Sequence, residues 1–246
     1  MTRGRLTGLP SSRKPARIPR LHYAAIDWDT SWRLVPTRYP PVGLFDTVAD
    51  PADLDAVFAI EAIGNPRLRE QAGHLLLVPA SERISGPGTT PIMAAFTHLN
   101  PEGSRFSDGT YGVYYAADAL DTAIAEVAHH RARFLARTSE PPIDIDLRCY
   151  CVPVRATLVD LRGRHAQAEL LAPDSYAASQ AFGRARREAG ESGIVHASVR
   201  HRGGRCVALF TPKATVPPAT QSGQVTLQWN GQRIAQWYRK SEARAL

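Results

Sequence analysis

The sequence predicts a mixed domain, α/β or α+β, built on short strands with three or four helices. Two patterns point there. Short runs rich in β-branched and aromatic residues, such as Leu147 to Val154 and Val225 to Trp229, sit between Gly-, Pro- and Asn-bearing turns. Apolar residues at helical spacing lie between those runs, such as Ile124, Val127, Ala128 and Leu135. No run approaches the ~20 apolar residues that cross a bilayer, and no internal repeat is found.

In chain order, Tyr23 to Arg38 carries aromatic and apolar side chains, with a strand around Trp32-Arg33-Leu34-Val35. Pro36, Pro40 and Pro41 then force an extended passage. Asp50-Pro51 reads as a helix start, the acid at the cap and the proline in the first turn. Leu54, Val57 and Phe58 supply that helix's stripe. Asn65-Pro66 repeats the punctuation for a second short helix ending near Gly73. Leu75 to Val78 reads as a short strand, and the 85–90 loop gives way to the apolar Ile92 to Phe96. A turn-rich stretch, 103–112, leads into a strand at Val113 to Ala116.

A helix is expected from Asp118 or Asp121, with Thr122, Glu126 and His130 sharing one flank. Strands follow at Leu147 to Val154 and Thr157 to Leu161. The next helix opens at Asp174 or Ser175, buries Ala178, Ala181, Phe182, Ala185 and Ala189, and is capped by Gly190. Gly193 to Ala197 and Cys206 to Phe210 are strands joined by Arg202-Gly203-Gly204-Arg205. Val225 to Trp229 and Gln232 to Tyr238 form a hairpin closed by a type I′ turn at Asn230-Gly231.

The formal net charge is +7, but Arg3, Arg5, Arg13, Lys14, Arg17 and Arg20 lie in a stretch of twenty residues without an acid. The rest of the chain therefore carries only +1. The basic character belongs to a tail, read as a solvated extension. The near-neutral body argues against direct nucleic-acid binding, which stays a distant alternative. Pro10, Pro15 and Pro19 would break the amphipathic helix of a transit peptide. Cys149, Cys151 and Cys206 are too few for a disulfide framework and lack zinc-ligand spacing. Their apolar settings suit small buried hydrophobes in a reducing, cytoplasmic protein.

Walker, nucleophile-elbow, zinc-protease and dinucleotide-fold signatures are absent from the sequence. His129 and His130 are adjacent on a helix and point about 100° apart, so no metal site is expected. The block from Gly103 to Glu126 has a clearer logic. An arginine in a turn-rich loop can fork onto a diphosphate. A tyrosine on the next strand offers a ring and a hydroxyl. A glutamate on the next helix can hold a ribose or stabilise positive charge at its anomeric carbon. Each has a plain alternative: Arg105 as a surface residue, Tyr114 as a core aromatic, Glu126 as a helix-surface acid.

The runs Gly103-Ser-Arg-Phe-Ser-Asp-Gly, Gly112-Val-Tyr-Tyr-Ala-Ala and Thr122-Ala-Ile-Ala-Glu together resemble the core of the RES domain family. The resemblance extends upstream to Trp32-Arg33-Leu-Val-Pro. Downstream it takes in Tyr176-Ala-Ala-Ser179-Gln180-Ala-Phe-Gly183, Gly193-Ile-Val-His-Ala-Ser198-Val-Arg200 and Cys206-Val-Ala-Leu-Phe-Thr-Pro212. It implies an α+β fold with an ADP-ribosyltransferase-like mixed sheet core and flanking helices. The domain would span 23–215, with a helical insertion at about 50–73, a basic tail at 1–22 and a hairpin extension at 216–246.

It also implies a toxin of a bacterial toxin–antitoxin pair that cleaves the nicotinamide–ribose bond of NAD⁺, as a phosphorylase or glycohydrolase. The alternative is a mono-ADP-ribosyltransferase acting on a protein. NAD⁺ would be substrate, with no cofactor and no metal. The partners would be an Xre-type antitoxin and a second copy in a homodimer within the complex, with no membrane. By motif, Arg105, Tyr114 and Glu126 would be catalytic. Arg33, Ser198, Ser179, Gln180 and Arg200 would bind substrate, Arg200 facing the same way as Ser198 on one strand. Strand register leaves open which of Tyr114 and Tyr115 faces the pocket.

Overall fold

A computed structural model of the chain describes residues 21–39, 43–58 and 73–240. The basic stretch 1–20 and the expected helix from Asn65 lie outside the described residues, as does most of the 50–73 insertion. Of that insertion, the described part opens as expected: Asp50 caps a 3₁₀ turn at Pro51–Asp53, its side chain accepting from the Ala52 N–H.

The core is a seven-stranded mixed sheet. In chain order its strands are β1 (Tyr23–Pro36), β2 (Tyr114–Ala117), β3 (Ile143–Leu161), β4 (Gly193–Ala197), β5 (Arg205–Leu209), β6 (Thr220–Trp229) and β7 (Ile234–Arg239). Their order across the sheet is β1-β2-β5-β4-β3-β6-β7, and β1 also pairs with β3, so the sheet curls back on itself. Among the described residues only β3 and β4 pair in parallel, as a crossover through a helix requires. The other pairings are antiparallel. The two strands expected at 147–161 are one continuous strand, β3, held on both sides by β1 and β6. The C-terminal hairpin joins the same sheet, β6 pairing with β3 from Ile143↔Trp229 to Cys151↔Thr220.

Among the described residues three longer helices flank the sheet: α1 (Thr90–Thr97), α2 (Leu120–Leu135) and α3 (Ala177–Glu188), with a further helical turn over 54–58. Pro91 sits in the first turn of α1, where its missing N–H costs nothing. Helix α1 packs Ile92, Met93, Ala95 and Phe96 against one sheet face, with Tyr114, Ala116, Val152, Val195, Val207 and Leu209. Helix α2 packs Leu120, Ala123 and Ile124 against the other face, with Leu34, Ala117, Cys149 and Cys206. Phe182 of α3 joins that second face beside Ala208 and Ile194. Strand alternation carries these assignments wherever no bulge interrupts a strand. Among the described residues no helix is long and apolar enough to cross a membrane.

Three local expectations are corrected. Leu75–Leu77 is a 3₁₀ turn rather than a strand: Leu75 and Val78 are buried three apart while Leu76 is 87% exposed, which is a three-residue period and not alternation. Helix α2 starts at Leu120, between the expected Asp118 and Asp121, and the Asp118 carboxylate accepts from the Arg205 backbone N–H and guanidinium. Helix α3 begins later, at Ala177, and buries Ser179 and Gly183 rather than the alanine stripe. Small alanines on both flanks left its apolar face ambiguous. The β6–β7 loop is not a type I′ turn, since Asn230 does not have the positive φ that turn needs. Instead Trp229 pairs with Ile234 across four residues, and the Asn230 side chain accepts from the N–H groups of Gln232 and Arg233.

One irregularity decides side-chain direction. Along β1, Trp28 pairs with Val154 and Ser31 with Val152, so three steps on β1 match two on β3. This bulge swaps the parity of the strand. Ser31 and Arg33 therefore continue the face of Ile26, while Trp32 and Leu34 turn to the α2 face.

Candidate functional site

The α2 face gathers the chemistry. Glu126 stands in the middle of α2, and its Oε1 accepts from the Ser198 hydroxyl at 2.6 Å and the Val199 N–H at 3.2 Å. The Cys206 thiol of β5 lies 3.9 Å from the same oxygen. Among the described residues Oε2 accepts no hydrogen bond, so one oxygen anchors the carboxylate and the other remains for a ligand. Ser198 follows β4 directly. Its Oγ also accepts from the N–H groups of Arg200 and His201, making a side-chain-capped turn. Ser198 and Arg200 are thus joined by a turn and not by a strand, which corrects the expected geometry. Gly204 lets this turn close on α2, since a Cβ there would come within 2.5 Å of the Thr122 hydroxyl.

Arg105 lies in the loop before β2 and is 6% exposed. Its Nη1 donates to the carbonyls of Leu170 and Ala172, at 3.4 and 2.8 Å. Its Cζ sits 4.7 Å over the Tyr176 ring. Its Nη2 is buried and has no partner. Loss of water lowers the Arg105 pKa, and the charges of Tyr176 and Glu126 oppose that shift. Arg200 donates from Nη2 to the carbonyl of Pro173, and its buried Nε has no partner. Segment 170–176 therefore covers this cluster and grips both arginines. Gln180 ties the loop down by donating to the Ser104 carbonyl at 3.1 Å. Ser179 donates to the Tyr176 carbonyl, within the start of α3. Neither of these last two side chains bonds to Glu126.

Tyr114 and Tyr115 separate across the sheet. Tyr114 is fully buried in the α1 core, and burial pushes its phenol up to about 12. Arg33 shares that face, its guanidinium 4.8 Å from the Tyr114 ring and its Nη1 donating to the Tyr115 carbonyl. Arg33 and Tyr114 are thus placed away from Glu126. Tyr115 takes the face of Arg105 and Glu126. Its hydroxyl accepts from the Phe106 N–H and bonds Ser104, bracketing Arg105 on both sides. Strand alternation alone dictates this split.

Two residues beyond the expected set join the cluster. His196 of β4 is 3% exposed, and burial holds it down to about 4, Glu126 opposing the shift. Its Nδ1 faces the Ala197 carbonyl at 2.9 Å, and a carbonyl can only accept, so the proton sits on Nδ1 and buried Nε2 carries a lone pair. Its position two residues before Ser198 was the available signal. Tyr176, at the start of α3, carries no sequence mark beyond its place in the family-like run. A cavity of about 580 Å³ lies elsewhere, lined by Arg155, Arg187, Glu191 and Lys213 among others, and none of the Glu126 cluster borders it. Among the described residues no three His, Cys, Asp or Glu side chains are placed to hold a metal ion.

Fold and site together define a mixed α+β protein with a carboxylate pinned by one oxygen beside desolvated guanidinium groups. The chain belongs to the RES domain family, whose model matches residues 81–230, the stretch holding Arg105, Glu126, Ser198 and Arg200. An uncharacterized protein, y4oC, of Sinorhizobium fredii (strain NBRC 101917 / NGR234) is 36% identical over 137 residues, which is 54% of this chain and 57% of that protein. The crystal structure of the M. tuberculosis MbcT–MbcA toxin–antitoxin complex aligns over 82% of this chain and 86% of its own, at TM-score 0.43 and 14% identity.

Proposed function

We propose that this chain cleaves the nicotinamide–ribose bond of NAD⁺ and acts as the toxin of a toxin–antitoxin pair, neutralised by an Xre-type antitoxin. The observation that carries the chemistry is the Glu126 carboxylate, fixed through Oε1 by Ser198 and Val199 with Oε2 unbonded, beside the buried, unpartnered Nη2 of Arg105. Membership in the RES domain family supports the toxin role and the antitoxin partner in this reading.

In this reading Arg105, with Arg200 beside it, binds the diphosphate, far from the reacting carbon, and so adds affinity that ground and transition states share. The glycosidic electron pair leaves with the pyridinium nitrogen, giving neutral nicotinamide. The ribose passes through an oxocarbenium-like state whose charge Glu126 stabilises. Water then adds with loss of a proton, or inorganic phosphate adds to give a sugar phosphate. Tyr115 serves by holding the Arg105 loop through Ser104 and Phe106.

The test is Glu126→Gln. The amide oxygen still accepts from Ser198 and Val199, so the fold is kept, while NAD⁺ turnover falls on the order of 100-fold or more. NAD⁺ loss at the wild-type rate in that variant rejects the assignment. Labelled NAD⁺, with and without phosphate, identifies the acceptor: label in small products supports a hydrolase or phosphorylase, and label on a macromolecule supports an ADP-ribosyltransferase.

A further inference from the structure

Arg105 is the most constrained cation of the site, and the constraint has a source outside the loop that carries it. A guanidinium is planar, with donors along three edges, and its usefulness to an anion depends on which edge is left open. Here the Nη1 edge is taken by two carbonyls, Leu170 and Ala172. The flat face rests on the Tyr176 ring, 4.7 Å from Cζ. The Nη2 edge is buried with no partner in a side chain that is 6% exposed. A buried donor without an acceptor is rare in folded proteins and points to a ligand.

The Tyr176 ring is itself fixed by the start of α3. Its carbonyl accepts from the Gln180 N–H at 2.8 Å and the Ser179 hydroxyl at 3.0 Å. The ring also lies 5.5 Å from the Arg133 guanidinium and 6.4 Å from the His130 ring, both on α2, so it bridges the helix of Glu126 and the loop of Arg105. The Tyr176 hydroxyl makes no hydrogen bond among the described residues. What the site uses is the aromatic face.

We propose that Tyr176 is a positioning residue: its ring holds the Arg105 guanidinium in one plane, with Nη2 presented to the diphosphate of the dinucleotide. The proposal rests on the NAD⁺ reading above. With the ring in place, the rotamer freedom of Arg105 is lost on folding and not on binding, which strengthens binding without touching the reacting carbon. Its effect therefore falls on KM.

Three proteins test this in steady-state NAD⁺ assays: wild type, Tyr176→Leu and Tyr176→Phe. Removing the π face in Y176L raises KM about tenfold with kcat within about twofold. Y176F, which restores the ring without the hydroxyl, brings KM back to within about twofold of wild type. A destabilised Y176L would lower the active fraction and hence apparent kcat, but would leave KM unmoved, so partial unfolding cannot imitate the result. An unchanged KM in Y176L, or a Y176F as impaired as Y176L, overturns the positioning role and leaves NAD⁺ cleavage standing. Absence of NAD⁺ loss in the wild type overturns both, since Arg105 then has no diphosphate to receive.

Discussion

Tyr114 and Tyr115 share a strand and differ in everything else, because successive side chains of a strand leave on opposite faces. Tyr114 is a core residue whose ring lies near-parallel to Phe96, with centroids 6.5 Å apart. Truncating it to alanine should cost about 3–5 kcal/mol of stability. Tyr115→Phe removes only a hydroxyl, leaving the Phe106 N–H without its acceptor at a cost of about 1–3 kcal/mol, and loosens the Arg105 loop. Urea denaturation and NAD⁺ kinetics on both variants separate the roles: Y114A shows the larger stability loss, Y115F the larger rise in KM per unit of stability lost. The reverse ranking would mean that the faces are assigned the wrong way round. The sequence brought both tyrosines to notice but could not choose between them, since a four-residue strand carries no register signal of its own. Arg105 and Glu126 were visible because they sit in a turn-rich loop and on a periodic helix. His196 was not, because one histidine in an apolar strand looks like any other buried residue.

At the scale of elements, helix α3 holds the site together from outside it. It packs tightly at Gly183, where a Cβ would stand 2.3 Å from the Phe106 carbonyl oxygen. Gly183→Ala must push the helix off the loop that carries Arg105, and Gln180 and Tyr176 would move with it. The expected outcome is a protein with near-native circular dichroism and at least a tenfold loss in kcat/KM for NAD⁺, equivalent to about 1.4 kcal/mol. Activity equal to wild type would show that the helix does not set the loop. This packing also explains why the buried face of α3 was misread. Apolar periodicity reports a helix face by its large side chains, whereas this one is buried through a serine and a glycine. The strands and α2 were legible because their contacts use β-branched, aromatic and leucine side chains in the ordinary way. The sequence divides the long β3 into two runs, with Arg155 and Ala156 left between them.

For the whole molecule, the site makes stability depend on pH in a definite direction. His196 is held down to about 4, against 6.5 for the free side chain, chiefly by burial, with Glu126 raising it and Arg105 lowering it. The unfolded chain binds a proton that the folded chain refuses. The stabilising contribution is thus complete above about 6.5 and is lost as pH falls from there toward about 4. Melting curves between pH 7.5 and 5, at about half-unit steps, should show His196→Asn losing less stability than wild type across that window. His129 and His130, also lowered by burial, leave it some residual slope. Coincident slopes would contradict the buried, neutral state of His196. The bulge between Trp28 and Ser31 has its own bearing on ancestry. A single in-frame codon deletion there would leave two steps on β1 against two on β3, so Ser31 and Arg33 would keep their partners Val152 and Tyr150 and their side of the sheet. The bulge absorbs one residue of length, so a relative one residue shorter there holds the same arginine on the same side of a straighter strand.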